Sequence, residues 1–274
     1  RTCSRIPAPC LNRRARWRSP AGKQVVVTST RLVSLTQRSV AAIEYTVEAV
    51  DEFALITVQS ELVANEDLPD DSRDPRVSAV LRKPLEPLHH EVTEEGALLL
   101  HRTKVSKLSV AAAMDHLVEV PGRVEVDTIA RENLARTTVL CGLRPGQRLR
   151  IVKYLAYGWS SLRSRPALQD QVAGALAGAR YTGWEGLLGA QRDYLDEFWD
   201  CADVEVEGDP DSQQAVRFGL FHVLQASARA ERRAIAGKGL TGPGYDGHAF
   251  WDTEGFVLPV LTYTMPGAAA DALR

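Results

Sequence analysis

No apolar run in this chain approaches the roughly 18 residues that cross a bilayer, and the first residues lack the apolar core of a secretory signal. Cys3, Cys10, Cys141 and Cys201 are scattered, with no CxxC pair and no histidine at ligand spacing. That pattern excludes a zinc site or a disulfide framework and predicts reduced thiols in a cytoplasmic protein. Neither sign of charge dominates: 33 Lys+Arg against 35 Asp+Glu give a formal net charge of -2 and a pI near 6.4. Neither a nucleic acid nor a membrane surface is therefore expected as a partner. The one local excess, six arginines among the first eighteen residues, reads as a solvated edge. Serine and cysteine offer no nucleophile elbow and no Cys/His pair with a supporting acid. Methionine is scarce, and the first, Met114, falls inside a run of strands, so a segment of a longer polypeptide is expected.

What is present is a chain of 274 residues, 45% hydrophobic, enough for one large domain or two ordinary ones. From Lys23 to Ile151 it consists of short β-rich runs. KQVVVTSTRLVSL, SVAAIEYTVEAV and FALITVQSEL alternate with period two and are rich in β-branched residues. The stretches beginning at Gly96 and Gly122 continue the pattern, and Ser19–Gly22 and Arg144–Gln147 read as turns. Asp67–Pro87, polar and holding four prolines, reads as a long surface loop. Strands without intervening helices predict an antiparallel sandwich rather than βαβ units.

After Trp159 the period changes. Val172, Leu176, Ala179, Leu187, Leu188, Tyr194, Leu195 and Phe198 fall at helical spacing on two segments broken near Thr182-Gly183. Glu207–Asp211 reads as a boundary, with Asp211 or Ser212 capping a helix whose apolar residues, Phe218 to Leu224, spread over more than half its circumference and predict burial on several sides. Another helix is expected from Thr253 to before Met265, kinked by Pro259.

The stretch Gly237–Glu254 concentrates the chemistry. Gly242–Gly247 matches GxGxxG letter for letter, but no strand precedes it and Pro243 removes an amide that a phosphate loop would use. The glycines instead allow close backbone approach to a ligand, followed by Tyr245, His248, Trp251 and Asp252 in fixed order; an ordinary inter-helix loop is the alternative. Asp252 and Glu254, two apart, diverge by about 200° on a helix, so one carboxylate at most serves a site. Asp252 can accept hydrogen bonds from two sugar hydroxyls while Trp251 covers the apolar face of the ring. The competing readings are a helix N-cap for Asp252 and a core position for Trp251. His222 reads as a core histidine and His89-His90-Glu91 as surface.

Lys238-Gly239-Leu240-Thr241-Gly242, Tyr245-Asp246-Gly247-His248 and Phe250-Trp251-Asp252-Thr253-Glu254 resemble glycoside hydrolase family 65, which holds maltose, trehalose and kojibiose phosphorylases and some acid trehalases. The likeness extends through Arg217-Phe218 and Leu220-Phe221-His222 to Arg16-Trp17, Ser19-Pro20, Gly22 and Arg31–Ser34. Ala234–Lys238 departs from the family, which carries a proline and an alanine before the lysine.

The resemblance implies an antiparallel, galactose-mutarotase-like β-sandwich over residues 1–160, incomplete at its start. It further implies a helical linker over 161–207 and the first helices of a truncated (α/α)6 barrel over 208–274. The 63 residues after Asp211 are expected to supply about two helices, so the barrel is not expected to close, and the faces around Phe218, Leu220, Phe221, Leu258 and Leu261 are expected to lack partners. The implied activity is inverting phosphorolysis, or hydrolysis, of an α-linked glucose disaccharide, a glutamic acid beyond Arg274 protonating the leaving oxygen. Tyr245, His248, Trp251 and Asp252 are then the substrate-binding residues, with no catalytic residue and no metal in this segment. No cofactor is implied, inorganic phosphate serving as co-substrate, and a homodimer is the expected assembly. The rival reading is a non-catalytic carbohydrate-binding or oligomerisation module.

Overall fold

The computed structural model describes residues 10–20, 22–66, 83–94, 96–228, 234–241 and 244–273. Ten strands come first: β1 (Leu11–Arg18), β2 (Gln24–Val33), β3 (Val40–Ala49), β4 (Ala54–Val63), β5 (Leu85–Val92), β6 (Gly96–Thr103), β7 (Ser109–Glu119), β8 (Val124–Arg131), β9 (Leu134–Leu143) and β10 (Arg148–Ser160). They form a seven-stranded sheet in the order β1-β2-β3-β10-β7-β6-β5 and a three-stranded sheet in the order β4-β9-β8, every pair antiparallel. The antiparallel sandwich expected from the alternation is present. The chain divides into two compact units, one carrying the strands up to Gly189 and the other carrying Ala190–Arg274.

In the first unit the alternation of each strand decides which layer a side chain joins. Along β9 the residues Ala135, Val139, Cys141 and Leu143 face the larger sheet, where they meet Val25, Val47, Leu149 and Ile151 in one cluster and Leu99, Met114 and Leu155 in a second. The opposite face of the larger sheet is covered by helix α1 (Arg165–Ala202): Leu168 and Val172 pack on Leu98, Leu100, Ala111 and Ala156. Farther along, Ala179, Trp184 and Leu187 pack on Leu32, Val40, Val152 and Tyr154. β6 and β10 are therefore enclosed on both faces, and each fully buried leucine is worth about 2 kcal/mol of transfer free energy. Asp115, 1% exposed, lies on the helix side and is neutralised by Arg180 of α1 at 2.6 Å.

The break foreseen at Thr182-Gly183 falls at Gly183, whose φ of 71° and ψ of 169° interrupt α1 in a region open to glycine alone. β1 is an edge strand with all eight residues exposed, so Arg13, Arg14, Arg16 and Arg18 lie on a solvated edge, while Arg1 and Arg5 lie outside the described residues. One expectation fails at the other edge. The loop assigned to Asp67–Pro87 overlaps β5, which begins at Leu85, while residues 67–82 lie outside the described part. Pro87 misled the reading because an edge strand with a register shift, here between Pro87 and His89, tolerates a missing amide. His89 and His90 are exposed on that strand, as expected.

In the second unit, helix α2 (Pro210–Ala228) starts with proline in its first turn. Its cap is Asp209 rather than Asp211 or Ser212: the carboxylate accepts from the amides of Asp211 and Ser212, both at 3.1 Å, and from Ser212 Oγ at 2.6 Å. Nor is α2 buried on several sides. Its buried residues are Arg217, Leu224, Ser227 and Ala228, and Phe218 is 61% exposed. Arg217 is buried because Asp203 pairs with it through both oxygens. His222 is half-buried, its ring edge-on to Phe218 at 4.3 Å, so it is not a core histidine.

Candidate functional site

The segment after α2 is a sequence of tight turns. Gly239 N donates to Ala236 O at 2.7 Å, and Thr241 closes the next turn on Lys238 O through both its amide and its hydroxyl. A single turn of 3-10 helix, Gly244–Gly247, follows, with Tyr245 at a φ of 60°. His248 N then returns to Tyr245 O at 2.9 Å, and His248 O accepts from Gly237 N at 3.0 Å, tying the two ends of the glycine-rich loop together. Gly237 is required by close approach: a Cβ there would stand 2.8 Å from the Phe250 ring. Phe250 is in turn held edge-on by Tyr245, with centroids 5.2 Å apart.

Beyond Trp251 the chain enters a wide turn, Thr253–Val257, in which Leu258 N donates to Thr253 O, one residue farther than in an α-helix. Helix α3 (Leu258–Thr264) follows, then helix α4 (Pro266–Ala272). Pro259 sits in the first turn of α3 rather than kinking its middle, because the wide turn ends just before the proline that lacks an amide. Leu258 and Leu261, expected to lack partners, are buried against Ile235 and Ala269.

These turns enclose a cleft of about 380 Å³ lined by Ala236, Gly237, Tyr245, Phe250, Asp252, Thr253, Phe256 and Val257. That volume lies at the small end of ligand sites, and the lining has their usual character, mostly apolar or aromatic walls with few polar groups. Asp252 stands at the N-cap position of the wide turn yet makes no side-chain capping bond, and it is exposed to the cleft. The N-cap reading of Asp252 is thereby removed. Trp251 is 86% exposed, which likewise removes its core reading.

Of the four residues singled out from the sequence, Tyr245 and Asp252 line the cleft together. Trp251 and His248 do not, both being exposed beside it. Phe250, which the sequence offers as a flat surface beside Tyr245, also lines the cleft. The sequence reading missed Phe256, although its place four residues after Asp252 carried a usable signal. Glu254 does not line the cleft, in keeping with the divergence expected of carboxylates two apart. Among the described residues no group of three or more His, Cys, Asp or Glu side chains could hold a metal ion. No helix among them is long and apolar enough to cross a membrane.

With this geometry in place, comparison with known proteins is informative. Residues 8–198 match the model of the glycosyl hydrolase family 65 N-terminal domain, and residues 217–274 match that of the family 65 central catalytic domain. An uncharacterized glycosyl hydrolase of Mycobacterium tuberculosis (strain ATCC 25618 / H37Rv) is 77% identical over 269 residues, 98% of this chain and 34% of the relative. The α,α-trehalose phosphorylase of Thermoanaerobacter brockii is 32% identical over 260 residues, 94% of this chain and 34% of the relative. A solved structure of a provisionally assigned kojibiose phosphorylase from human microbiome superposes with a TM-score of 0.82 at 20% identity, over 96% of this chain and 33% of its own, which speaks to the fold. The chain thus spans about a third of the length of the curated relatives it matches.

Proposed function

The chain belongs to glycosyl hydrolase family 65, and from that premise we propose that the protein of which it forms part cleaves an α-linked glucose disaccharide such as trehalose, kojibiose or maltose, by inverting phosphorolysis. The relatives named trehalose phosphorylase and kojibiose phosphorylase favour phosphate over water as the attacking group. In this reading Asp252, Tyr245, Trp251 and His248 hold the glucosyl ring, and none of them is the catalytic acid. The observation that carries the assignment is the uncapped Asp252 carboxylate, presented to a small cleft walled by Tyr245, Phe250 and Phe256. A free carboxylate grips vicinal hydroxyls, and aromatic walls accept the apolar face of a pyranose.

A narrower reading is favoured by one feature. Among the described residues the cleft holds a single carboxylate, and inverting hydrolysis uses an acid and a base on opposite sides of the ring. The segment alone is then a carbohydrate-binding module, and its turnover of trehalose, kojibiose or maltose is expected to be nil.

The test is phosphate-dependent release of glucose 1-phosphate from the three disaccharides by the full-length polypeptide, with and without Asp252→Ala. Loss of a charge-assisted hydrogen bond of about 1.5–3 kcal/mol predicts a drop of roughly 10- to 100-fold in kcat/KM with the melting temperature unchanged. Release of free glucose without phosphate would replace phosphorolysis by hydrolysis. An Asp252→Ala enzyme as active as the parent would remove the site.

A further inference from the structure

The two sheets of the sandwich meet across an apolar seam of Leu62, Leu99, Met114, Ala135 and Leu155; polar contacts also join them, His101 Nε2 reaching Asn133 Oδ1 of the β8–β9 turn at 3.2 Å and residues of β7 and β10 reaching β4. His116 on β7 places Nε2 2.8 Å from Ser60 Oγ on β4. Lys153 on β10, the register partner of His116, donates Nζ to Glu61 O on β4 at 2.6 Å and is 8% exposed. His116 Nδ1 is buried with no hydrogen-bond partner among the described residues. A neutral imidazole that donates Nε2–H to Ser60 leaves only a bare lone pair at Nδ1, the least costly state of an orphaned nitrogen. A proton added there creates a buried N–H without an acceptor and a cation beside an ammonium group.

Among the described residues no carboxylate pairs with the His116 ring, and the one that acts on Lys153 is that of Glu61. From β4, Glu61 directs its side chain to Arg136 of β9 at 2.6 Å. Asp115, adjacent to His116 in sequence, faces the other side of the sheet and is paired with Arg180 of α1. From β10 the charged neighbour is Lys153 itself.

We propose that His116 and Lys153 make the joint between the sheets an acid-sensitive lock: on acidification the seam holds two cations, and the three-stranded sheet loosens from the seven-stranded one. The direction follows from linkage. Burial, with a smaller contribution from Lys153, lowers the His116 pKa from 6.5 to about 4. An open seam therefore takes up its proton near 6.5 and a closed one only near 4, so the closed joint is fully favoured above 6.5 and loses that advantage as pH falls to about 4. Lys153, lowered by burial from 10.5 to about 8 against the pull of Glu61, acts only at alkaline pH, strengthening the joint as pH rises through that interval.

The test is amide hydrogen exchange of the whole chain, corrected for intrinsic rates, from about pH 7 down to about pH 4. Peptides of β4, β8 and β9 are expected to exchange at least about tenfold faster at the acid end while β2 and β3 stay protected. His116→Gln keeps a donor for Ser60 without a titrating group and should hold the three-stranded sheet closed over the same range. Lys153→Met removes the opposing charge and should move the acid midpoint to lower pH, which keeps the idea testable if His116→Gln does not fold. An acid midpoint shared by the parent and either variant, or a His116 ring proton that titrates near its ordinary value in the folded chain, would overturn the proposal.

Discussion

Along β6, Leu98 and Leu100 point to α1 while Ala97 and Leu99 point to the small sheet, and none of the four is more than 3% exposed. Between Trp251 and Thr264, Trp251, Phe256 and Tyr263 are 86%, 74% and 86% exposed. The same apolar atoms serve opposite ends in the two regions. In the sandwich they are the source of stability, and removal of a few methyl groups must be felt. In the later segment stability rests on small aliphatic contacts among Ile235, Leu258, Leu261 and Ala269, and the large rings are left for a ligand or another surface.

A pair of truncations tests that contrast most strongly. Leu100→Ala, at a position with no exposed surface, should cost about 3 kcal/mol in chemical denaturation through lost burial and the cavity left behind. Phe256→Ala removes a larger side chain but should change stability by less than about 0.5 kcal/mol, since its ring is mostly in water already. Equal losses at the two positions would mean that the exposed rings carry the fold after all.

Backbone geometry sharpens the comparison within one helix. Gly183→Ala meets no atom within 4 Å, yet its φ of 71° and ψ of 169° force a side chain into a region that L-residues avoid, at about 1–3 kcal/mol. Gly178, also in α1 and also free of neighbours, has no such backbone constraint, so Gly178→Ala should stabilise by about 0.5–1 kcal/mol. Opposite signs in thermal melts are the expected result, and matching signs would remove the break at Gly183 as a required feature.

How far the sequence could be read follows the same division. Strands were legible wherever period-two alternation ran unbroken, as in β9, because one face is buried and the other is not. β5 was hidden by Pro87 and its exposed histidines, which resemble loop chemistry unless the strand is known to lie at an edge. The two-sided burial of β6 and β10 depends on α1 returning over the sheet, a long-range contact that local periodicity does not encode. In the candidate site, the order of glycines and aromatics pointed to the loop that lines the cleft. Phe256 joins Asp252 there at a spacing of four, while Trp251, next to Asp252 in sequence, stays outside. The burial of Arg217 depends on Asp203, fourteen residues upstream, a pairing that the periodicity of α2 does not encode.

The last contrast concerns the start of α2, where the cap is Asp209 and not the Asp211 or Ser212 to which the sequence pointed. Only Asp209 receives the first-turn amides, so Asp209→Ala should lower the melting temperature. Its carboxyl is held below the usual range first by the Ser212 hydroxyl and then by the Ser212 and Asp211 amides. The capped state therefore gains over the uncapped one above the ordinary carboxyl pKa of 3.8 and loses that gain as pH falls through the lower folded value. Asp211→Ala, two residues farther on in the first turn and without those bonds, should shift stability by no more than a few tenths of a kcal/mol through the helix dipole. Because Asp252 occupies the equivalent position before the next helical segment but caps nothing, a thermal melt of Asp252→Ala should resemble that of Asp211→Ala rather than Asp209→Ala. A loss at Asp252 as large as that at Asp209 would reassign its carboxylate from ligand to structure.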